Sequence, residues 1–261
     1  NKHFSKHQEC NTRCLIDKVT RFEDEHKHPM NIDSMTADDL RAFADFLSSD
    51  YDISMNTIVT NMTLMRTVCN WVRKQGVTNN DPFFGYDMPK ALYGTPYFLT
   101  IQERDQVLDA DLTDDAELAE YRDMFVFQCM VGCRHSDLVT FTPKNIIDGV
   151  LEYIPIKTKG KLGDVVRAPL IPKAMAILDG HDHGDDEPIF PKHYNFKFND
   201  AIRRILKRAK VNRVVTVINP KTRLEEKKPI SDVATSHLAR RTFIGNLYRM
   251  VKDPDLVASM S

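Results

Sequence analysis

A single tryptophan, ten glycines and an odd five cysteines are distributed over 261 residues. There is no uninterrupted apolar run of the roughly 18 residues that a membrane-spanning helix requires, which excludes a helical membrane protein. No charged segment followed by an apolar stretch opens the chain, so no secretory signal is legible. An odd cysteine count in a chain of this length reads as reduced thiols in a reducing, cytoplasmic setting, and the length excludes a mini-protein stapled by disulfides. Glycine-rich phosphate loops are also missing, which disfavours a nucleotide-dependent phosphoryl-transfer enzyme. What is present is the balance of a soluble globular protein, 42% apolar and 28% charged, long enough for one large or two modest domains. The chain begins at Asn1 and not at methionine, and is expected to be a piece of a longer protein.

The net charge of −1 conceals an asymmetry. Residues 1–95 carry 11 basic and 13 acidic groups, residues 96–195 carry 10 and 18, and residues 196–261 carry 15 and 6. The last segment is therefore +9. A near-neutral chain that gathers positive charge in one stretch can hold a polyanion there, or can simply display a solvated basic helix.

The first 80 residues read as helices. Cys10 to Phe22 places Cys14, Leu15, Val19 and Phe22 inward. Thr36 with Asp39 forms a capping box ahead of Leu40, Phe43, Ala44 and Leu47 at i, i+3, i+4 and i+7. A further helix begins near Ser54, carries Ile58, Met62, Met65, Cys69 and Val72 on one stripe, and stops at Gly76. The turn-rich stretch from Thr78 to Pro96 reads as a linker. This gives a helical domain over 1–90 and a second domain over 91–261.

In the second domain Thr100 and Glu103 form another capping box, and a helix is expected from about Glu117 to Val131. Two β-branched runs, Leu151–Ile156 and Val165–Leu170, predict a hairpin with a long basic turn. A helix from Asn195 sets Phe198, Ile202, Ile205 and Leu206 against a basic face, Val214–Ile218 suggests a strand, and Thr235–Met250 a last helix. The fold class expected is mainly α with a small β-sheet, α+β.

Three patches place phosphate-binding donors at element ends or turns. In Gly132-Cys133-Arg134-His135-Ser136-Asp137-Leu138, Gly132 ends a helix, Ser136 can cap the next, and Arg134 occupies the bend, where a guanidinium can grip a phosphate or pair with a carboxylate. The hairpin turn offers Lys157, Lys159 and Lys161. In His237-Leu238-Ala239-Arg240-Arg241-Thr242-Phe243, His237 and Arg240 share a helical face, an unfavourable pairing unless an anion or water lies between them.

Together, in this order, the patches resemble the tyrosine recombinase (phage integrase) family: a G-x-R-x-S-[DE]-L box at 132–138, a Lys-Thr at 157–158 ahead of a Pro-Leu, and an H-x-x-R-R-T-F box at 237–243. The resemblance implies an N-terminal helical core-binding (SAM-like) domain followed by a recombinase catalytic domain, the two clamping duplex DNA. It implies breaking and rejoining of DNA at specific sites through a 3′-phosphotyrosyl intermediate, as the integrase of a mobile genetic element, with no metal and no other cofactor. Arg134 and Arg240 would then hold the non-bridging phosphate oxygens, His237 would bond the same phosphate, and Lys157, with Lys159 as its rival, would protonate the leaving oxygen. Asp137 would brace its box. The nucleophilic tyrosine is expected beyond Ser261, because Tyr248 follows Arg240 too closely and is assigned to packing; the chain as it stands is expected to bind DNA without cleaving it. The intact enzyme is expected to work as a homotetramer on DNA, the chain alone to be monomeric without it, and the DNA-bound protein to associate with the nucleoid.

Under this reading Asn56 and Thr57, at a helix start with free N–H groups, together with Arg66, Lys74, Lys159, Arg203, Arg204 and Arg241, are the DNA-binding candidates. The alternative is a non-catalytic DNA-binding regulator descended from a recombinase. Cys10 with Cys14 and Cys129 with Cys133 lack partners for a four-ligand metal site and read as core cysteines. His181-Asp182-His183 reads as part of an acidic loop.

Overall fold

The computed structural model describes residues 6–159, 165–181 and 184–260. They form two compact units, one of residues 1–94 with 217–226 and one of 95–216 with 227–261.

The first unit is built on α1 (Lys6–His26), α2 (Ala37–Ser49) and α3 (Met55–Lys74). The Thr36 capping box is present, with the Asp39 N–H donating to Thr36 Oγ1 at 3.3 Å and the Thr36 N–H returning to Asp39 Oδ2 at 2.7 Å. One apolar face of each helix closes a core in which Phe22 meets Phe43 and Phe46 edge-on, at centroid separations of 5.5 and 5.4 Å. Such pairs add modestly to the area that the rings bury. Cys69 lies in this core, but Cys10 and Cys14 are exposed, against expectation. The stripe of α1 that faces inward runs through Leu15 and Phe22, and Cys14, one residue before Leu15, is turned about 100° away from it. At the start of α3 the Asn56 side chain clasps the backbone of Leu92, donating to its carbonyl at 2.9 Å and accepting its N–H at 2.9 Å. The Met55 N–H donates to Pro220 O at 3.2 Å, and Lys221 pairs with Asp52. These bonds place 217–226 with the first unit, which a boundary at residue 90 did not anticipate.

The second unit centres on α5 (Ala116–Val131), preceded by α4 (Ile101–Leu108) with its Thr100–Glu103 capping box. Met124 to Val131 are all buried, and a helix apolar all round belongs at the centre of a domain. After the one-turn α6 (His135–Leu138) come β1 (Ile146–Ile147), β2 (Val150–Tyr153) and β3 (Val166–Pro169), an antiparallel sheet in that order. Ile146 faces Leu151, and Tyr153 faces Val166. The predicted hairpin is therefore present, extended by a two-residue strand too short to leave a pattern. Around α5 pack α7 (Pro172–Asp179), α8 (Asn195–Arg208) and α10 (Ser236–Val251). β4 (Val214–Ile218) pairs with β5 (Glu225–Pro229), residues 217–226 of that hairpin being counted with the first unit; α9 (Ile230–Val233) and α11 (Pro254–Ser259) complete the second. β5 reads Glu-Glu-Lys-Lys-Pro and has no apolar alternation by which a strand is recognised.

The position of α10 is fixed along its length. Buried Thr242 accepts the Leu99 N–H on Oγ1 at 3.0 Å, and Asn246 Nδ2 donates to Leu99 O at 2.9 Å. Gly245 lets the Phe98 ring lie against the helix, where a Cβ would stand 2.7 Å from ring carbons. Arg249 lies over that ring, its Cζ 4.7 Å from the ring centre. Among the described residues no helix is long and apolar enough to cross a membrane. Thr242→Val keeps the side-chain volume but removes the acceptor for a buried N–H; it is expected to lower stability by about 1–3 kcal/mol, measured as a reduced urea midpoint with an unchanged denaturant slope.

Candidate active site

Four sequence-derived candidates come from three elements of the second unit. α5 ends at Gly132, whose φ of +71° is left-handed, a conformation in which glycine is unstrained. Two bonds lock the turn that follows: the Gly132 N–H donates to Gln128 O at 2.9 Å, and buried Gln128 Nε2 donates to Cys133 O at 2.9 Å. Arg134 then occupies the N-cap position of α6 in extended backbone. Ser136, expected to cap that helix, lies inside it, because the chain enters the helical conformation one residue after Arg134. Asp137 is 2% exposed, and its Oδ1 accepts the Ile156 N–H at 2.8 Å. That bond ties the Arg134 box to the residue before Lys157, the bracing expected of Asp137.

The turn after β2 is closed by the Thr158 and Lys159 N–H groups, both donating to Pro155 O at 3.0 Å. Lys157 and Lys159 are exposed on it. Gly160 to Asp164, including Lys161, lie outside the described residues, as do Asp182 and His183 of the predicted acidic loop.

α10 begins at the third patch. Its N-cap residue, Thr235, makes no side-chain capping bond; α8 supplies the cap, with Asn199 Oδ1 accepting the Ser236 N–H at 2.8 Å and Asn195 Oδ1 accepting from Ser236 Oγ at 3.2 Å. The sequence reading missed these asparagines. One turn on, Arg240 Nη1 donates to Gly132 O at 2.8 Å. Phe243 lies against the same glycine, so closely that a Cβ on Gly132 would stand 2.3 Å from the ring. The two boxes are thus in direct contact.

Electrostatics places the candidate side chains in one neighbourhood. The His237 pKa lies below the ordinary histidine value, first because the surrounding protein disfavours the imidazolium, then because of the charges of Arg241, Arg240, Arg134 and Lys157. Arg240 is lowered by burial and then by Arg134, with Tyr153, Cys133 and Asp137 opposing. Neither Arg134, Lys157 nor Arg240 has an ion-pair partner among the described residues. Cations without ion-pair partners beside an imidazole that disfavours its own proton can receive an anion with several acidic oxygens, and paired guanidinium N–H groups fit a phosphate.

The structure treats the DNA-binding candidates unequally. Arg203 pairs with Asp200 at 3.4 Å and Arg204 with Asp115 at 2.8 Å, while Lys207 and Arg208 pair with Asp232 and Asp114 at 2.8 and 2.5 Å. The basic face of α8 is therefore largely neutralised by carboxylates that lie elsewhere in the sequence. Asn56 is committed to Leu92, and the Thr57 N–H donates to Ser54 O at 2.9 Å, so the start of α3 does not present the free groups expected. Arg66, Lys74, Lys159 and Arg241 are exposed, Arg241 lying 5.5 Å from the Tyr97 ring centre. Tyr248, assigned to packing, is 50% exposed. Cys129 and Cys133 are buried as expected, and among the described residues no three His, Cys, Asp or Glu side chains are grouped to hold a metal.

Residues 1–88 match the phage integrase SAM-like domain family. Over 100% of this chain and 86% of the other, the structure superposes on the Tn1549 transposon integrase in complex with transposon right-end DNA, with a TM-score of 0.68 at 15% identity. The chain has the tyrosine-recombinase fold. A lambda integrase dimer bound to a COC′ core site gives a TM-score of 0.67 at 13% identity, covering 99% of this chain and 88% of that one. XerH site-specific recombinase bound to its difH substrate gives 0.62 at 14%, covering 94% and 70%. No curated protein sequence matches. At these identities the likeness is one of recombinase fold, and the chemistry must be argued from the side chains.

Two outcomes follow. Gly132→Ala meets both a left-handed backbone and the Phe243 ring, and is expected to cost about 3 kcal/mol in thermal unfolding, part of which Phe243→Leu restores. The His237 imidazole is expected to titrate below 6.5 by NMR, and Arg241→Ala to raise that midpoint by removing the largest of the opposing charges. Because folding lowers this pKa, the group has no effect on stability well above pH 6.5. It reduces stability as the pH falls through 6.5, where the unfolded chain binds the proton first.

Proposed function

We propose that this protein is a site-specific DNA recombinase, an integrase of a mobile genetic element, that breaks and rejoins duplex DNA through a phosphotyrosyl intermediate. The observation that supports the proposal is the contact between the Arg134 and His237–Arg240 boxes through Gly132, together with the influence that Arg240, Arg134 and Lys157 each exert on the His237 imidazole.

In a phosphodiester held there, Arg134 and Arg240 contact the non-bridging oxygens. Their charges offset the extra negative charge of the five-coordinate transition state, the stage at which preorganised donors act most strongly. Neutral His237 bonds the same phosphate and can take the proton of an attacking tyrosine hydroxyl. The leaving 5′ oxygen is a poor leaving group and needs a proton. Lys157, on the turn tethered by Asp137, is the general acid under this reading, and Lys159 on the same turn is its alternative. The attacking tyrosine is assigned to none of the residues 1–261. Strand exchange between two duplexes calls for a homotetramer on DNA. Within the first unit, Arg66 and Lys74 supply phosphate contacts, and in the second Lys159 and Arg241 do so; Arg203 and Arg204 contribute only by exchanging their carboxylate partners for phosphate.

A non-catalytic DNA-binding regulator is the competing reading, and cleavage separates the two. The full-length protein, given a nicked duplex of its own recombination site, is expected to form a covalent adduct with the 3′ phosphate. Arg134→Ala and Arg240→Ala are each expected to reduce adduct formation by about 10²–10³-fold, with non-specific duplex affinity within a few-fold of the parent. Adduct formation near the parental rate in either variant overturns the assignment.

A further inference from the structure

α3 carries no acidic residue in its 20 positions, whereas α1 and α2 mix both signs along their exposed surfaces. Its buried side is Ile58, Met62, Met65 and Cys69. Directly opposite lie Thr60, Thr63, Thr67, Trp71 and Lys74, which recur at helical spacing and are all exposed. A solvated helix face is ordinarily populated by Glu, Lys, Arg and Gln, and three β-branched threonines there work against helix stability.

The threonines have a defined orientation. Each hydroxyl donates to the carbonyl four residues back, Thr60 to Asn56 at 2.9 Å, Thr63 to Val59 at 2.7 Å and Thr67 to Thr63 at 2.8 Å. With the oxygen held against its own helix, the γ-methyl is the group left to meet a partner. The face therefore offers a row of methyls, with Trp71 at 62% exposure beyond them. Arg66 borders it and Lys74 ends it, and neither has an ion-pair partner among the described residues. An acid-free face edged by free cations is complementary to a polyanion. In the DNA major groove the one apolar feature of a base edge is the C5-methyl of thymine.

Resting on the reading of the protein as a DNA recombinase, we infer that α3 lies in the major groove and that Thr60, Thr63 and Thr67 read thymine methyl groups, making them specificity-determining residues. Arg66 and Lys74 hold the flanking phosphates. Trp71 is the chain's single tryptophan, so its emission reports this face alone.

The test uses the whole chain and a 30-bp duplex selected from a library with a randomised centre. Trp71 emission is expected to become less accessible to acrylamide when the duplex binds. Replacing thymines singly by deoxyuridine is expected to weaken binding about fourfold at two or more positions, the change that corresponds to one buried methyl. Thr60→Ser, Thr63→Ser and Thr67→Ser, which remove only the methyl, are expected to produce the same loss on the thymine duplex and to abolish the penalty of uracil at the matching position. A selected duplex that binds with Trp71 unprotected, or with full indifference to uracil, overturns the inference and leaves the recombinase reading standing. Absence of any duplex binding overturns both.

Discussion

The contact between Gly132 and the second turn of α10 governs the arrangement of this site. It requires a residue with no side chain, because Phe243 fills the space that a Cβ would take, and a left-handed backbone, because α5 must end there. The carbonyl released by that ending is the acceptor for Arg240. One glycine thus ends a helix, admits a ring and orients a guanidinium, and all three follow from its geometry. Asp137 extends the constraint to the third element by holding the Ile156 N–H. Three segments more than 100 residues apart in sequence at the extremes are in this way referenced to one turn.

Holding like charges together has an energetic consequence. Arg134 disfavours the charge of Arg240, and both disfavour protonation of His237. Without an anion this repulsion opposes folding, and Asp137 and the bonds of the scaffold must offset it. With a phosphate in place the same charges become favourable to binding, and more so as negative charge on the phosphate grows. A pocket of this kind is weakly disposed towards its empty state and strongly disposed towards an anion that gains charge during reaction, which is how a preorganised site lowers a barrier without holding its substrate too tightly.

Much of the fold was legible because it rests on local rules. The Thr36 and Thr100 capping boxes, the periodic stripes of α2 and α3 and the hairpin of β2 and β3 all depend on residues a few positions apart. What could not be read depends on long-range partners. Asn195 and Asn199 act as caps for a helix some 40 residues later, Asn56 clasps Leu92, and Gln128 fixes a turn from inside α5. A polar side chain in a helix carries no mark of the distant backbone group that it will satisfy. The exposed Cys14 and Tyr248 show a related difficulty, since periodicity defines a stripe but a residue at its margin can face either way.

The same distinction separates unpaired from paired cations, where charge counting fails. By composition α8 is the most conspicuous basic segment, yet Arg203, Arg204, Lys207 and Arg208 each meet a carboxylate, three of them contributed by other segments. The cations of the candidate site are fewer, but Arg134, Lys157 and Arg240 have no ion-pair partner among the described residues, Arg240 donating to a backbone carbonyl with Asp137 opposing its loss of charge only from a distance beyond an ion pair. α3 repeats this on a surface: a modest number of cations, and no acid anywhere on the helix. Affinity for a polyanion depends on the charge that remains after folding has paired what it can, and among the described residues part of that remainder lies on the small boxes and on α3, while the segment that dominates the composition is largely neutralised.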